Sequence, residues 1–229
     1  MRGRRLARGL LGREHLVLWG TLRRTRPISP YWGYDRGTAV DRVYIERFLE
    51  EHADDVRGRV LEVRDPRYTE RFGGDRVSAS DILDIDPTNE RATVVADLAV
   101  PGALPGARFD CAIVTQTLQY VTAPATAVEN LRSALAPGGV ALITAPCTSR
   151  IDPDLKEIDR WRFTPLGLET LLRQAGDWAE LDVRGYGNVL TAVAFLMGIS
   201  AEELREGELA DDDPDFPLVV CARARKPPA

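Results

Sequence analysis

The sequence predicts an α/β fold in which a doubly wound sheet of mainly parallel strands carries helices on both faces. Three observations support it. Short apolar runs at residues 60–63, 77–81, 93–97 and 109–115 are bounded by polar or turn-forming residues, the pattern of strands buried on both sides. Between and beyond them lie stretches with helical spacing, such as Val128, Leu131 and Leu135. The run Leu135-Ala136-Pro137-Gly138-Gly139-Val140-Ala141-Leu142-Ile143-Thr144 then reads as a Pro-Gly-Gly turn feeding another buried strand. A chain of 229 residues holds one core of this kind, not two.

Taken in order, residues 1–30 form a basic arm carrying Arg2, Arg4, Arg5, Arg8, Arg13, Arg23, Arg24 and Arg26, and residues 31–229 form the domain. Pro27, Pro30, Gly33 and Gly37 punctuate a loop rich in Tyr31, Trp32 and Tyr34. A helix follows, with Thr38 as N-cap, Asp41 near its third position, and Val40, Tyr44 and Phe48 on one face. The first strand contains Glu62, the second ends at Asp81, and the third ends at Asp97. In open α/β sheets ligands bind beyond the carboxyl ends of the strands, so these three acids converge on one crevice.

The strand from Phe109 reaches a polar edge at Thr115-Gln116-Thr117. The next crossover helix has Thr122 as cap and Pro124 in its first turn. A further helix starts at Thr164-Pro165, buries Leu168, Leu171, Leu172 and Ala175, and stops at Gly176. Strands at 181–183 and 218–222 complete the sheet, and the short connections make the last one antiparallel. Residues 189–197 are apolar on every side. As a helix they must be buried in the core, wall an acceptor pocket or meet another subunit, which leaves a homodimer open.

Composition excludes several classes. The net charge of -5 argues against a general nucleic-acid binder. The three cysteines, Cys111, Cys147 and Cys221, form no CxxC pair, so neither a zinc site nor a disulfide framework is indicated, and no bound metal is expected. Gly12, Arg13, Glu14 and His15 break the apolar character of the N-terminal segment, and no run approaches the ~20 apolar residues of a membrane span. The expectation is a cytoplasmic protein with a small-molecule partner. The absence of G-x-G-x-x-G weighs against a nicotinamide oxidoreductase.

The strand and helix pattern from Phe109 to Thr144 resembles the second half of the class I S-adenosylmethionine-dependent methyltransferases. Asp41-Arg42-Val43-Tyr44-Ile45-Glu46, Arg67-Tyr68-Thr69-Glu70-Arg71-Phe72-Gly73-Gly74, Thr115-Gln116-Thr117-Leu118-Gln119, Trp161-Arg162-Phe163-Thr164 and Gly187-Asn188-Val189-Leu190 extend the likeness to a bacterial, methyltransferase type 11-like group. Members of that group are often encoded beside glycosyltransferases. The resemblance implies a Rossmann-like, seven-stranded sheet with the last strand antiparallel, and S-adenosylmethionine as cofactor. It further implies methyl transfer, with oxygen of a sugar or another small specialised metabolite as acceptor.

It also implies site residues. Asp81 would accept from the ribose hydroxyls and Asp97 from the adenine amine, with Ile82 and Leu98 beside them. Glu62 would occupy the acid of the first motif. Arg64 stands where that motif has glycines, and it either blocks the cofactor or grips its methionyl carboxylate. Tyr44, with Arg42, would close over the methionyl head or simply pack, while Thr115 and Gln116 would end the fourth strand against the cofactor. Gln116, Tyr120, Trp161 and Arg162 are the candidates on the acceptor side. Trp161 and Arg162 form a stacking surface and an anion clamp, or a loop anchor. Asp152, Asp154, Glu157 and Asp159 are unranked candidates for a base. Because of Arg64, a catalytically inactive binding or scaffold module is the alternative.

Overall fold

The computed structural model describes Gly20 and residues 23–229. Most of the arginine-rich arm therefore lies outside the described residues. The elements run α1 (Val40–Glu51), β1 (Gly58–Val63), β2 (Val77–Asp84), β3 (Val94–Val95), β4 (Phe109–Thr115), α2 (Pro124–Ala134) and β5 (Leu135–Pro146). They continue through α3 (Pro165–Gln174), β6 (Glu180–Tyr186), α4 (Val189–Met197), α5 (Glu206–Ala210) and β7 (Val219–Arg225). All seven strands form one sheet in the order β3-β2-β1-β4-β5-β7-β6. β1 pairs in parallel with both β2 and β4, and β7 runs antiparallel between β5 and β6. The strand order reverses between β1 and β4, which opens a crevice beyond their carboxyl ends.

Alternation along the central strands builds two apolar layers. Cys111 and Ile113 of β4, with Val60 of β1 and Leu142 of β5, meet Tyr44, Ile45, Phe48 and Leu49 of α1 and Phe195 of α4. Ala112 and Val114, with Leu61 and Ile143, meet Val128 and Leu131 of α2 and Leu168 and Leu172 of α3. The central strands β1, β4 and β5 are thus buried on both faces, as their continuous apolar runs predict.

Several local expectations are corrected. Ala39 rather than Thr38 is the N-cap of α1, because the Thr38 hydroxyl is engaged by the Glu202 carboxylate at 2.7 Å. Ala123 rather than Thr122 precedes α2. Leu135 is the first residue of β5, and it is as buried there as a helical position would have made it. Thr164 does cap α3, accepting from the Gly167 amide at 3.1 Å. The expected Pro-Gly-Gly turn is corrected to a bulge inside β5, where the register with β4 shifts, and that bulge needs both glycines. Gly138 has φ 77°, and a Cβ on Gly139 would lie 2.9 Å from the carbonyl oxygens of Phe109 and Ala136. α4 buries Thr191, Ala192, Ala194 and Phe195 but exposes Val189, Leu190 and Leu196, so only one of its apolar faces enters the core.

The loop before α1 is tied to the far end of the chain. The amides of Ile28 and Ser29 donate to the Met197 carbonyl at 2.7 and 3.2 Å, and Arg36 pairs with Glu203. No helix among the described residues is long and apolar enough to cross a membrane.

Leu142 sits fully buried in the middle of β5. Leu142→Ala should lower unfolding stability by about 2–5 kcal/mol through lost burial and the cavity left behind. A urea titration in which the midpoint falls at constant slope checks this.

Candidate active site

The carboxyl ends of β1, β2 and β3 form one half of the crevice. Glu62 is buried next to the end of β1, and its two carboxylate oxygens accept from the amides of Tyr68 at 3.0 Å and Thr69 at 2.7 Å. Burial pushes its pKa up, opposed by those hydrogen bonds. The chain between is Arg64-Asp65-Pro66-Arg67, and Arg64 takes the left-handed backbone (φ 76°) in which a glycine would be unstrained. Its N–H donates to the Leu83 carbonyl at 2.8 Å, and its carbonyl accepts from Asn89 Nδ2 at 3.0 Å. The Arg64 side chain is exposed and forms no hydrogen bond or ion pair among the described residues.

Asp84 is the last residue of β2. Its carboxylate accepts from Asn89 Nδ2 at 2.7 Å and from the Asp86 amide at 3.0 Å, so Asn89 bridges it to Arg64. The expectation that Asp81 ends this strand is therefore corrected. Asp81 lies in mid-strand opposite Leu61, 4% exposed, and accepts from Arg59 Nε at 2.6 Å, Thr93 Oγ1 at 3.0 Å and Arg108 at 3.4 Å. Its neighbour Ile82 is likewise inside the strand, opposite Glu62 and buried, not at the crevice. Ile85, the residue after Asp84, is 65% exposed instead. The sequence signal for this shift is the apolar pair Ile82-Leu83 beyond Asp81, followed by the Asp86-Pro87 turn.

Asp97 follows the short β3 and is exposed, its Oδ1 accepting from the Ala99 amide at 2.8 Å. The Leu98 side chain is buried. Its N–H has no partner among the described residues, whereas its carbonyl accepts from Asn130 of α2 at 2.9 Å. Thr115 closes β4 and pairs with Thr144 of β5.

The other half of the crevice is a cavity over the ends of β4, β5 and β7, floored by Gln116, Pro146 and Val219. Gln116 holds a left-handed backbone (φ 46°), and its amide donates to the Thr144 carbonyl at 2.9 Å. Gln119 donates through Nε2 to the Gln116 carbonyl at 2.9 Å, and its Oε1 is buried with no partner among the described residues. The Tyr120 hydroxyl donates to Asp152 at 3.3 Å, and burial pushes its pKa up to about 12. Arg162 grips Asp159 with two hydrogen bonds of 2.5 and 2.9 Å, which holds that carboxyl below its usual range. Arg150 stacks on Trp32 with 3.8 Å to the ring centroid.

α1 contributes Asp41 and Arg42 to this cavity but not Tyr44. The expectation for Tyr44 is corrected because its face of the helix is the fully buried one, packed on β7 and α4. Arg42 donates to the hydroxyls of Tyr34 at 2.9 Å and Tyr68 at 3.3 Å. Asp41 lies 3.8 Å from Arg42, and burial pushes its carboxyl pKa up against that attraction. Trp161 is corrected as well. It lies outside the cavity, its indole N–H donating to the Val121 carbonyl at 2.8 Å as a loop anchor, and Trp32 supplies the stacking ring. Asp154 and Glu157 are exposed, whereas Asp152 and Asp159 line the cavity.

A family described as a methyltransferase domain matches residues 20–193. No curated protein matches the chain significantly. Solved structures share its fold. An S-adenosylmethionine-dependent methyltransferase from Mesorhizobium loti is 19% identical over 82% of this chain and 98% of its own, with a TM-score of 0.54. The N-methyltransferase NodS from Bradyrhizobium japonicum, in complex with S-adenosyl-L-homocysteine, is 16% identical over 84% and 90%, with a TM-score of 0.52. The [4+2]-cyclase SpnF is 19% identical over 85% and 84%, with a TM-score of 0.53. At these identities the likeness is one of fold.

Asp81 is expected to act on stability. Its folded pKa is lowered, so its contribution is fully present above the unfolded carboxylate value near 4 and is lost as pH falls through the lower folded value. Asp81→Ala should cost about 1–3 kcal/mol at pH 7, moderated because Arg59 and Arg108 are partly solvated. Urea unfolding of both proteins should show that difference shrinking below about pH 4.

Proposed function

The chain belongs to the class I S-adenosylmethionine-dependent methyltransferases, whose domain spans most of it, and from that membership we propose that it methylates oxygen on a small hydroxyl-bearing acceptor, a sugar or another specialised metabolite. The observation that carries this reading is the division of the strand ends into two compartments meeting at Gln116. Acids stand over β1 to β3, and a partly open cavity of mixed polar and apolar lining lies over β4, β5 and β7.

The donor set of the first compartment fits the cofactor. Asp84 is a carboxylate at a strand end, suited to two vicinal ribose hydroxyls, and the exposed Ile85 offers an apolar surface for a purine ring. Asp97 would accept from the exocyclic amine, and the unpaired Leu98 N–H would donate to a ring nitrogen. Glu62 holds the segment 64–69 against β1, and Arg64 would meet the methionyl carboxylate. When bound, the cofactor supplies an electrophilic methyl group on a sulfonium. In the second compartment Gln116, Tyr120 and Arg162 would position the acceptor in line with the methyl group. In this reading residues 31–229 are the catalytic domain, residues 1–30 an appended basic arm, and the enzyme is cytoplasmic.

Asp84→Ala should weaken S-adenosylhomocysteine binding by about 1.5–3 kcal/mol, roughly a 10- to 100-fold rise in Kd by calorimetry. An unchanged Kd would remove Asp84 from the site. Mass spectrometry with methyl-labelled cofactor and a panel of glycosides, phenols, carboxylates and amines should yield O-methyl products, and exclusive N-methylation would overturn the oxygen assignment.

A further inference from the structure

Of the three guanidinium groups that line the cavity, two are already committed. Arg162 holds Asp159 through both Nη atoms at 2.5 and 2.9 Å, and Arg42 donates to the hydroxyls of Tyr34 and Tyr68 beside Asp41. Arg150 is different. Its Nε and Nη2 are buried with no partner among the described residues. Its Nη1 makes no hydrogen bond there either, and it is the nitrogen of the three that keeps accessible surface, in a half-buried residue of the cavity wall. A charge partly withdrawn from water without a counter-charge is costly. Burial accordingly pulls its pKa below the usual arginine value, although Asp152 and Asp154 draw it up. The group still keeps its proton at neutral pH.

The side chain is also held still. The guanidinium lies over the Trp32 ring, 3.8 Å from the centroid, and Trp32 takes left-handed backbone (φ 54°), which is strained in a non-glycine residue. The Arg150 carbonyl accepts from Arg162 Nη2 at 2.7 Å and from the Ser149 hydroxyl at 3.1 Å. Asp152, whose field reaches the guanidinium, is engaged elsewhere, by the Tyr120 hydroxyl at 3.3 Å and the Asp154 amide at 2.9 Å. Asp159 is neutralised by Arg162. A stacked guanidinium with one open edge suits an oxyanion, which accepts from it with charge-assisted geometry, whereas a neutral hydroxyl would leave the charge uncompensated.

We propose that Arg150 determines acceptor specificity and that the acceptor carries an oxyanion, a carboxylate or a phosphate, which docks on Arg150 Nη1 over the Trp32 ring. This rests on the methyltransferase reading and deepens it. A uronate or hydroxy acid and a sugar phosphate present the same chemistry to this edge, and the test separates them.

Calorimetry on the full chain loaded with S-adenosylhomocysteine uses matched probes. They are methyl glucopyranoside, its 6-carboxylate and its 6-phosphate, together with 4-hydroxybenzamide and 4-hydroxybenzoate. In at least one set an anionic probe should bind about 10-fold or more tightly than its neutral partner, the carboxylate or the phosphate identifying the source. Arg150→Gln removes the charge and keeps hydrogen-bonding capacity. It should abolish that preference, raising the anionic Kd about 10-fold or more, while melting temperature is unchanged and S-adenosylhomocysteine Kd stays within about twofold. Arg150→Lys, which keeps the charge without the planar fork, should recover part of the preference. If the wild type fails to bind S-adenosylhomocysteine, the methyltransferase reading fails and this proposal with it. If it binds that compound and no anionic probe outbinds its neutral partner, or Arg150→Gln retains the preference, the assignment of Arg150 is overturned and the reading beneath it stands. A rise of about 10-fold or more in the S-adenosylhomocysteine Kd of Arg150→Gln would place the guanidinium on the carboxylate of the cofactor and overturn the assignment equally.

Discussion

A buried carboxylate that has to be satisfied by main-chain donors organises the entrance to this sheet. Glu62 lies under the end of β1, and the amides of Tyr68 and Thr69 supply its two hydrogen bonds. To deliver them the chain must reverse within a few residues of Val63, which forces Arg64 into left-handed backbone at a cost of about 1–2 kcal/mol for a non-glycine residue. Donation from Arg64 N–H to Leu83 offsets part of that cost, and Asn89 links the Arg64 carbonyl to Asp84. The first turn and the acid at the end of β2 are therefore one hydrogen-bonded unit. The turn is held in shape by Glu62 without a glycine, at the cost of a left-handed backbone at Arg64.

The same principle, polar groups fixed by their neighbours, operates on the other side of Gln116. Three guanidinium groups and three carboxylates line the acceptor cavity, so its fixed charge balances. Within that balance the pairings are unequal. Arg162 and Asp159 neutralise each other with bidentate geometry, Arg150 is covered by an indole face, and Arg42 is shared between phenols and one oxygen of Asp41. The result is a set of charges held in place by mutual pairing or stacking, which is preorganisation rather than bulk polarity.

How much of this was legible follows from which residues betray their neighbours in sequence. Continuous apolar runs located the central strands, because burial on both faces leaves no other composition, whereas the Pro-Gly-Gly segment read as a turn is a bulge within β5. Asp81 was misread as a strand end because Ser78, Ser80 and Asp81 look like a strand giving way to solvent. In space Arg59, Arg108 and Thr93 neutralise and satisfy the carboxylate, so the strand continues through Ile82 and Leu83 to Asp84. Such partners, 12 to 27 residues away, are invisible to local periodicity. On α1 the 3.6-residue period correctly gave the face of Val40, Tyr44 and Phe48. That face is the core, so the functional face had to be its neighbour, where Asp41 and Arg42 lie. For Trp161 both stacking and anchoring were open, and only the loop path shows that its N–H is spent on the Val121 carbonyl.

A fold shared at this level with an N-methyltransferase and a [4+2]-cyclase cannot by itself select a reaction. What can select it are the parts of the cavity that the sheet does not build. The sheet supplies little more than the floor, at Gln116, Pro146 and Val219, whereas Trp32, Tyr34, Asp41, Arg42, Arg150, Asp152 and Arg162 all come from the loop before α1, the start of α1 and the loop between β5 and α3. Those segments are anchored from outside the site, by Met197, by Glu202 and Glu203, and by Trp161 on Val121. Chemistry can therefore be altered by exchanging loop residues without disturbing the packed layers beneath. The residues on those loops are consequently better evidence for the acceptor than the strand order is.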